Sequence, residues 1–365
     1  VHNVPFHAQS DTFSQLWPIT RQHVADVLEL EPGRKVAELE KALVAYTGRR
    51  HAIGVNSGTD ALVLLLRAAG LRPGDGVVVP AFSFVASASA VVLAGGRPVF
   101  ADVEPGGYGL SPTSVRAVVT ADTRFVLPVH LFHRPADLGG LLDVANRLRL
   151  MVVEDCAEAI GMRWAGRHVG AAGVGGALSF SPTTTLGALG DAGAVLTDDP
   201  VVAETAATVR HRGLGDQPGL DSRMDDVQAA ILLAKLGRLE SDVRRRIALA
   251  RHYSRRLADV PGLTLPVSPR RAGLRGVPCQ YVVETDDRAE LAAHLASAGI
   301  GAEPRHPVPL HLQPCFADTG HRPGDFPHAE RAARRTLALP LHPDLTAADA
   351  DRVCDAIAAF GRVTS

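Results

Sequence analysis

The stretch Ala52-Ile53-Gly54-Val55-Asn56-Ser57-Gly58-Thr59-Asp60-Ala61-Leu62 sets the grammar of this chain: a short apolar strand, a polar turn with glycine, then a helix-forming run over 61–69. Upstream, Arg34–Thr47 carries Val36, Leu39, Leu43 and Val44 at three- and four-residue steps, which predicts an amphipathic helix. Downstream the alternation repeats. Gly76-Val77-Val78-Val79-Pro80 reads as a strand, 87–94 as a helix, and Pro98-Val99-Phe100-Ala101-Asp102 as a strand. Phe125-Val126-Leu127-Pro128-Val129-His130, a helix over 141–149 and the strand Leu150-Met151-Val152-Val153-Glu154-Asp155 continue it. Short, continuously apolar strands alternating with helices predict an α/β fold whose mostly parallel sheet is covered by helices on both faces. Ligands of such sheets bind at the carboxyl ends of the strands.

From 225 to 258 the pattern is helical and long, with Val227, Ile231, Leu232, Leu236 and Leu239 on one stripe. Beyond Pro261 come a strand at Gln280-Tyr281-Val282-Val283-Glu284, a helix over 288–298, a proline-rich passage over 304–314 and a final helix over 347–360. The 365 residues exceed what one hydrophobic core normally serves. The expected division is a large domain, 1–240, holding an irregular N-terminal segment and the start of a linker helix, and a smaller α+β domain, 241–365.

A formal net charge of -1 gives no electrostatic case for nucleic acid or an acidic membrane surface. Four widely spaced cysteines without a CxxC pair suggest neither a zinc site nor a disulfide framework, so no metal is expected. The N-terminus, Val1-His2-Asn3-Val4-Pro5-Phe6, lacks a basic head followed by an apolar run, and a cytoplasmic location is expected. The only lysines are Lys35, Lys41 and Lys235. None follows a strand of the large domain.

Ser57, Gly58 and Thr59 end a strand and open a helix, where free backbone amides and the positive end of the helix dipole form an anion cradle; Ser57 also reads as a plain helix cap. Asp155 ends a buried strand, where a carboxylate needs a partner. His133, just beyond the strand that ends at His130, is a candidate base near neutral pH. A partly exposed loop histidine is the plainer reading. His306, His311 and Arg305 lie in the proline-rich passage.

Five passages in order carry a resemblance: Asn56 to Leu62, Val79-Pro80-Ala81-Phe82-Ser83-Phe84-Val85-Ala86, Glu154-Asp155-Cys156-Ala157-Glu158-Ala159-Ile160-Gly161, Ser179-Phe180-Ser181-Pro182-Thr183-Thr184-Thr185-Leu186-Gly187 with Gly190-Asp191-Ala192-Gly193-Ala194, and Pro307-Val308-Pro309-Leu310-His311-Leu312-Gln313-Pro314. Together they resemble the DegT/DnrJ/EryC1/StrS sugar aminotransferases that use pyridoxal phosphate (PLP). The resemblance implies the PLP-transferase fold type I and a homodimer with active sites at the subunit interface. It also implies a nucleotide-linked keto sugar as substrate. In it, Ser57, Gly58, Thr59 and Ser179 hold the cofactor phosphate, Asp155 pairs with the pyridine nitrogen, Phe84 stacks on the ring and Glu158 contacts the ring hydroxyl. The family's Schiff-base lysine falls at Thr184, and a threonine neither forms an imine nor acts as a base near pH 7.

Other departures accompany it. Asp221 falls where the resemblance places an asparagine that reaches the partner's cofactor phosphate. The segment between Gly213 and Gly219 is shorter than the family's loop, and 28–36 lacks a glycine- and aromatic-containing loop that touches the sugar. Three functions follow as alternatives. One keeps PLP or its amino form, pyridoxamine phosphate (PMP), bound without an imine, similar to the dehydratases in which histidine replaces the lysine. There the proton chemistry falls to Glu158, His133 or a water. Another drops the cofactor and reuses the cleft for an isomerisation, elimination or cyclisation driven by acid and base groups. The third is an inactive subunit that supports a lysine-bearing relative. The reading that best accommodates the cluster of changes is an enzyme of small-molecule biosynthesis that no longer runs standard transamination.

Overall fold

A computed structural model describes residues 3–8, 10–29, 31–213, 218–267 and 273–363. Its strands are, in chain order, β1 (His51–Val55), β2 (Gly76–Pro80), β3 (Arg97–Ala101), β4 (Thr123–Val126), β5 (Met151–Asp155), β6 (Arg163–Trp164), β7 (Arg167–His168), β8 (Gly175–Ser179), β9 (Gly193–Thr197), β10 (Tyr281–Glu284), β11 (Glu303–Pro304) and β12 (Thr336–Leu339). Seven form one sheet in the order β1-β9-β8-β5-β4-β2-β3. β8, β5, β4, β2 and β3 are joined by parallel pairings, whereas β9 is antiparallel to both β8 and β1, so β9 alone is reversed. This is the mostly parallel α/β sheet that the alternation predicts. β10, β12 and β11 form a second, antiparallel sheet, and β6 and β7 make a small hairpin.

The strand residues alternate between two cores. Val77 and Val79 join a cluster with the helix Gly58–Ala68, while Val78 joins another beneath the helix Leu138–Leu148. In β5, Val153 falls in the first cluster and Val152 in the second. Side chains of a strand point to opposite faces, and helices bury both. That is why these strands are apolar throughout. By the same period, Asp155 shares the face of Val153, and Glu154 shares that of Val152.

Two elements differ from expectation. The segment read as an irregular start contains a helix, Ser10–Glu29, with Pro18 inside it and only Thr12, Leu16 and Thr20 buried. So thin a buried stripe gives almost no periodic signal; tertiary packing against the helix Asp226–Leu236 holds this helix in place, and Asp344 accepts hydrogen bonds from the amides of Asp11 and Thr12 (both 3.0 Å) at its first turn. The single long helix read over 225–258 is two, Asp226–Leu236 and Leu239–Arg256, separated at Gly237 and Arg238. Of the expected shortened segment after Gly213, residues 214–217 lie outside the described residues.

Gly193 shows how tightly the start of β9 is built against the turn at Ser57: a Cβ there would stand 2.4 Å from the Ser57 carbonyl oxygen. Gly193→Ala is therefore expected to lower stability by about 1–3 kcal/mol. A urea unfolding midpoint equal to that of the parent chain would show that the turn yields without cost.

Candidate functional site

A cavity of about 270 Å³ opens at the carboxyl ends of the central strands. It is lined by Ser57, Gly58 and Thr59 after β1, Ser83, Phe84 and Ser87 after β2, Asp155 at the end of β5 with Ala157 and Glu158 beyond it, and Ser179 at the end of β8 with Ser181, Thr183 and Thr184 beyond it. His130, Asp191 and Arg305 complete the polar lining. The sheet thus gathers seven of the expected residues, Ser57, Gly58, Thr59, Phe84, Asp155, Glu158 and Ser179, around one space, with Thr184 beside them.

At one end lies the helix Gly58–Ala68. Ser57 is extended (φ -154°) and its Oγ accepts from the Asp60 amide at 3.1 Å. The first amides of a helix have no acceptor within it, so those of Gly58 and Thr59 are available to an anion. Gly58 is required for closeness: a Cβ there would stand 2.6 Å from Ser179 Cβ and 3.0 Å from its Oγ. The plainer reading of Ser57 as a helix cap holds, and the same turn leaves these amides facing the cavity.

Asp155 is 3% exposed. Its Oδ2 accepts from Ser87 Oγ (2.7 Å) and its Oδ1 from the Ala157 amide (3.0 Å). Burial pushes its carboxyl up, and those two bonds with the nearby His130 only partly offset this. On the opposite face of β5, Glu154 accepts from the amides of Gly170 (2.8 Å) and Ala172 (2.7 Å) and meets His130 Nε2 at 2.9 Å. His130 Nδ1 accepts from the Ala136 amide (3.1 Å), so Nε2 carries the proton and donates to Glu154. Burial raises the Glu154 carboxyl, but His130 and the two amides outweigh it and hold the group below its ordinary value. Cys156 completes a buried group whose ligand atoms lie within 4.8 Å of one another. Both ring nitrogens and both carboxylate oxygens are already hydrogen-bonded, so the group is a structural one.

Glu158 accepts from the Phe132 amide (2.9 Å) at Oε2 and from Gln280 Nε2 (3.0 Å) at Oε1. Burial raises its carboxyl, the Arg305 charge and the Phe132 amide partly offset this, and Asp155 adds to the rise. Phe132 has φ 63°, a left-handed conformation that costs a non-glycine residue ~1–3 kcal/mol. It is held there by Glu158 on its amide, by the Cys279 and Gln280 amides on its carbonyl (2.8 and 3.3 Å), and by ring contacts with Tyr108 and a stacked His306.

Thr184 Oγ1 shares its proton between the carbonyls of Ser181 (2.8 Å) and Leu186 (3.3 Å). Among the described residues no lysine lines the cavity. Lys35 is paired with Asp26 and Glu38, Lys41 is exposed, and buried Lys235 donates to the Gly187 carbonyl from behind the loop. Burial lowers the Lys235 ammonium to about 8.

The structure does not bring the other candidates into this space. His133 lines a separate cavity with Arg251, Ser254 and Tyr281, its Nε2 meets the Val267 carbonyl at 3.2 Å, and burial lowers it to about 4. Asp221 sits at the surface beside Arg223 and His211, at φ 48°. His306 borders an open groove with Phe84, which is 59% exposed, and burial lowers it to about 3. His311 is buried beside Glu330. Ser87, His130 and Gln280 carry no local sequence signal: each is distant in the chain from the carboxylate it serves, and only folding pairs them.

Because the folded-state value of Asp155 is raised, its ionised form is penalised above that value, and the penalty vanishes below the unfolded one. Asp155→Asn, whose Oδ1 still accepts from the Ala157 amide and whose Nδ2 can donate to Ser87 Oγ, should make the ligand-free protein more stable at pH 7. The gain should shrink as pH falls through the window just above the ordinary carboxylate range. Thermal unfolding across pH reads this directly, and a gain that grows on acidification would reverse the assignment.

Residues 20–358 match the model of the DegT/DnrJ/EryC1/StrS aminotransferase family. A dTDP-3-amino-3,4,6-trideoxy-alpha-D-glucose transaminase of Streptomyces venezuelae is 40% identical over 97% of this chain and 95% of its own. The "Pleiotropic regulatory protein" of Geobacillus stearothermophilus is 38% identical over 99% of both chains. Among solved structures, S. venezuelae DesV superposes with a TM-score of 0.94 at 39% identity over 99% of both chains. The ntda protein of Bacillus subtilis with bound cofactor PMP gives 0.90 at 29% identity over 99% of this chain and 86% of that one. With the match over residues 20–358 and relatives of this identity over nearly the whole chain, this chain belongs to the DegT/DnrJ/EryC1/StrS aminotransferase family.

Proposed function

We propose that this chain is a sugar-modifying enzyme that keeps the cofactor pocket of its family without the amine. It does not run lysine-dependent transamination and moves protons with a carboxyl group of the pocket. The observation that carries this is Thr184, a hydroxyl tied to two backbone carbonyls where the family resemblance places the lysine. No other lysine of the described residues lines the cavity.

The residues present fit PLP or PMP held without a covalent bond. The close-packed turn at Gly58 and Ser179 suits a phosphate, and Asp155, at the end of β5, suits a protonated pyridine nitrogen. When bound, the cofactor supplies an electron-withdrawing ring. Ser57, Gly58, Thr59 and Ser179 would hold its phosphate, Asp155 its ring nitrogen, and Phe84 would flank it. Glu158, raised by burial, is the carboxyl group of this lining suited to hold or release a proton, and Arg305 faces it as an anion-binding group. Such a set suits elimination or isomerisation, and the names of the relatives point to a nucleotide-linked or similarly modified sugar. The reading includes a homodimer and the division into 1–240 and 241–365, with Arg305 contributed by the smaller part. A second reading, acid/base chemistry with no cofactor, draws on Asp221, a carboxylate where the resemblance places a phosphate-binding asparagine.

Added PLP is expected to raise the thermal unfolding temperature with concentration. Borohydride treatment of that complex should leave the polypeptide mass unchanged, whereas Thr184→Lys should acquire a reduced adduct at residue 184. An adduct on Lys235 or another native lysine would overturn the amine-free reading, and no thermal shift at high PLP would select the cofactor-free one. With a sugar-nucleotide substrate in hand, Glu158→Gln should lower turnover by roughly 10²-fold or more. Unchanged turnover would remove Glu158 from the mechanism.

A further inference from the structure

We propose that Gln280 is the positioning residue of Glu158, a side-chain amide that serves this carboxyl group in both of its protonation states. The inference rests on Glu158 as the proton carrier proposed above. Gln280 stands just before β10, 122 residues from Glu158, and is 8% exposed. Its Nε2 donates to Glu158 Oε1 at 3.0 Å, while its own Oε1 is buried with no hydrogen-bond partner. A buried acceptor without a donor is costly, and native structures seldom keep one without a reason.

The donor and acceptor inventory supplies the reason. When Glu158 is ionised it only accepts, and the Gln280 Nε2–H and the Phe132 N–H satisfy one oxygen each. When Glu158 takes up a proton on Oε1, that oxygen becomes a donor and the Gln280 N–H turns unfavourable. Rotation of the amide by half a turn places Gln280 Oε1 where Nε2 stood, and it accepts the new O–H. Oε2, now the carbonyl oxygen, keeps the Phe132 amide. In the place of Gln280, a backbone amide, a lysine or an arginine could donate to Oε1 but could not accept from it once it carries the proton. The base of the Gln280 side chain is anchored on the same strained residue, because the amides of Cys279 and Gln280 both donate to the Phe132 carbonyl. Glu158 can therefore lose and regain a proton without movement of the chain around it.

The test uses the full chain labelled in the Glu carboxyl carbons and in the side-chain amide nitrogens of Gln, followed by NMR over pH. Glu158→Gln identifies the Glu158 carboxyl signal by its loss. Expected is a Gln280 NH₂ signal that titrates with the midpoint of Glu158 and stops responding in Glu158→Gln. Gln280→Met should displace the Glu158 midpoint upward by about one pH unit, since the charge-assisted bond to the ionised form is the stronger one lost. A Gln280 NH₂ signal indifferent to the Glu158 titration, or an unmoved midpoint in a folded Gln280→Met, would overturn the proposal. If Gln280→Met does not fold, the NH₂ signal of the native chain decides alone. Turnover plays no part in this readout, so an active Glu158→Gln would remove the proposed function and leave the pairing standing or falling by itself.

Discussion

Two adjacent carboxylates, Glu154 and Asp155, end the central strand β5 inside the protein, and much of the site is organised by the need to keep them there. A buried charge costs several kcal/mol unless it is partnered. The two-residue period of a strand sends these groups to opposite faces, so each must find its own partners. Glu154 takes two loop amides and the His130 ring, which joins β5 to the segment after β4. Asp155 takes Ser87 and the Ala157 amide, and it faces the cavity. The first is compensated fully enough to stay ionised. The second is left raised, in a state that a cationic partner in the cavity would relieve.

Glu158 is treated differently. Its two oxygens are fixed by an amide from a left-handed phenylalanine and by a side-chain amide that arrives from the far side of the molecule. Strain at Phe132 persists because hydrogen bonds at both its amide and its carbonyl, with ring contacts on its side chain, over-determine its conformation. The same clamp joins the segment before β10 to the segment after β4, so the geometry of Glu158 depends on how the C-terminal sheet seats against the larger one. Thr184, by contrast, spends its hydroxyl proton on the turn that carries it.

Much of this was legible in the chain itself. The apolar strands, the Ser57-Gly58-Thr59 turn and the strand-ending Asp155 follow from local pattern, because backbone geometry and burial act over a few residues. The helix at Ser10–Glu29 was not legible: its buried stripe is too thin, and packing against another helix replaces the missing periodicity. His133 shows the opposite failure. A histidine at a strand end has the right chemistry, yet the left-handed turn at Phe132 precedes it, and its ring lines another cavity.

Residue identities alone determined that the chain alternates strand and helix, that a polar turn opening a helix follows β1, and that a threonine stands at position 184, since these are properties of short segments. Tertiary structure decided which groups meet. Ser87 reaches Asp155 across 68 residues and Gln280 reaches Glu158 across 122, through the order of strands in the sheet and the docking of the C-terminal layer. Partnership between buried polar groups is a requirement of desolvation, and the folded chain alone determines which partners are close enough to meet it.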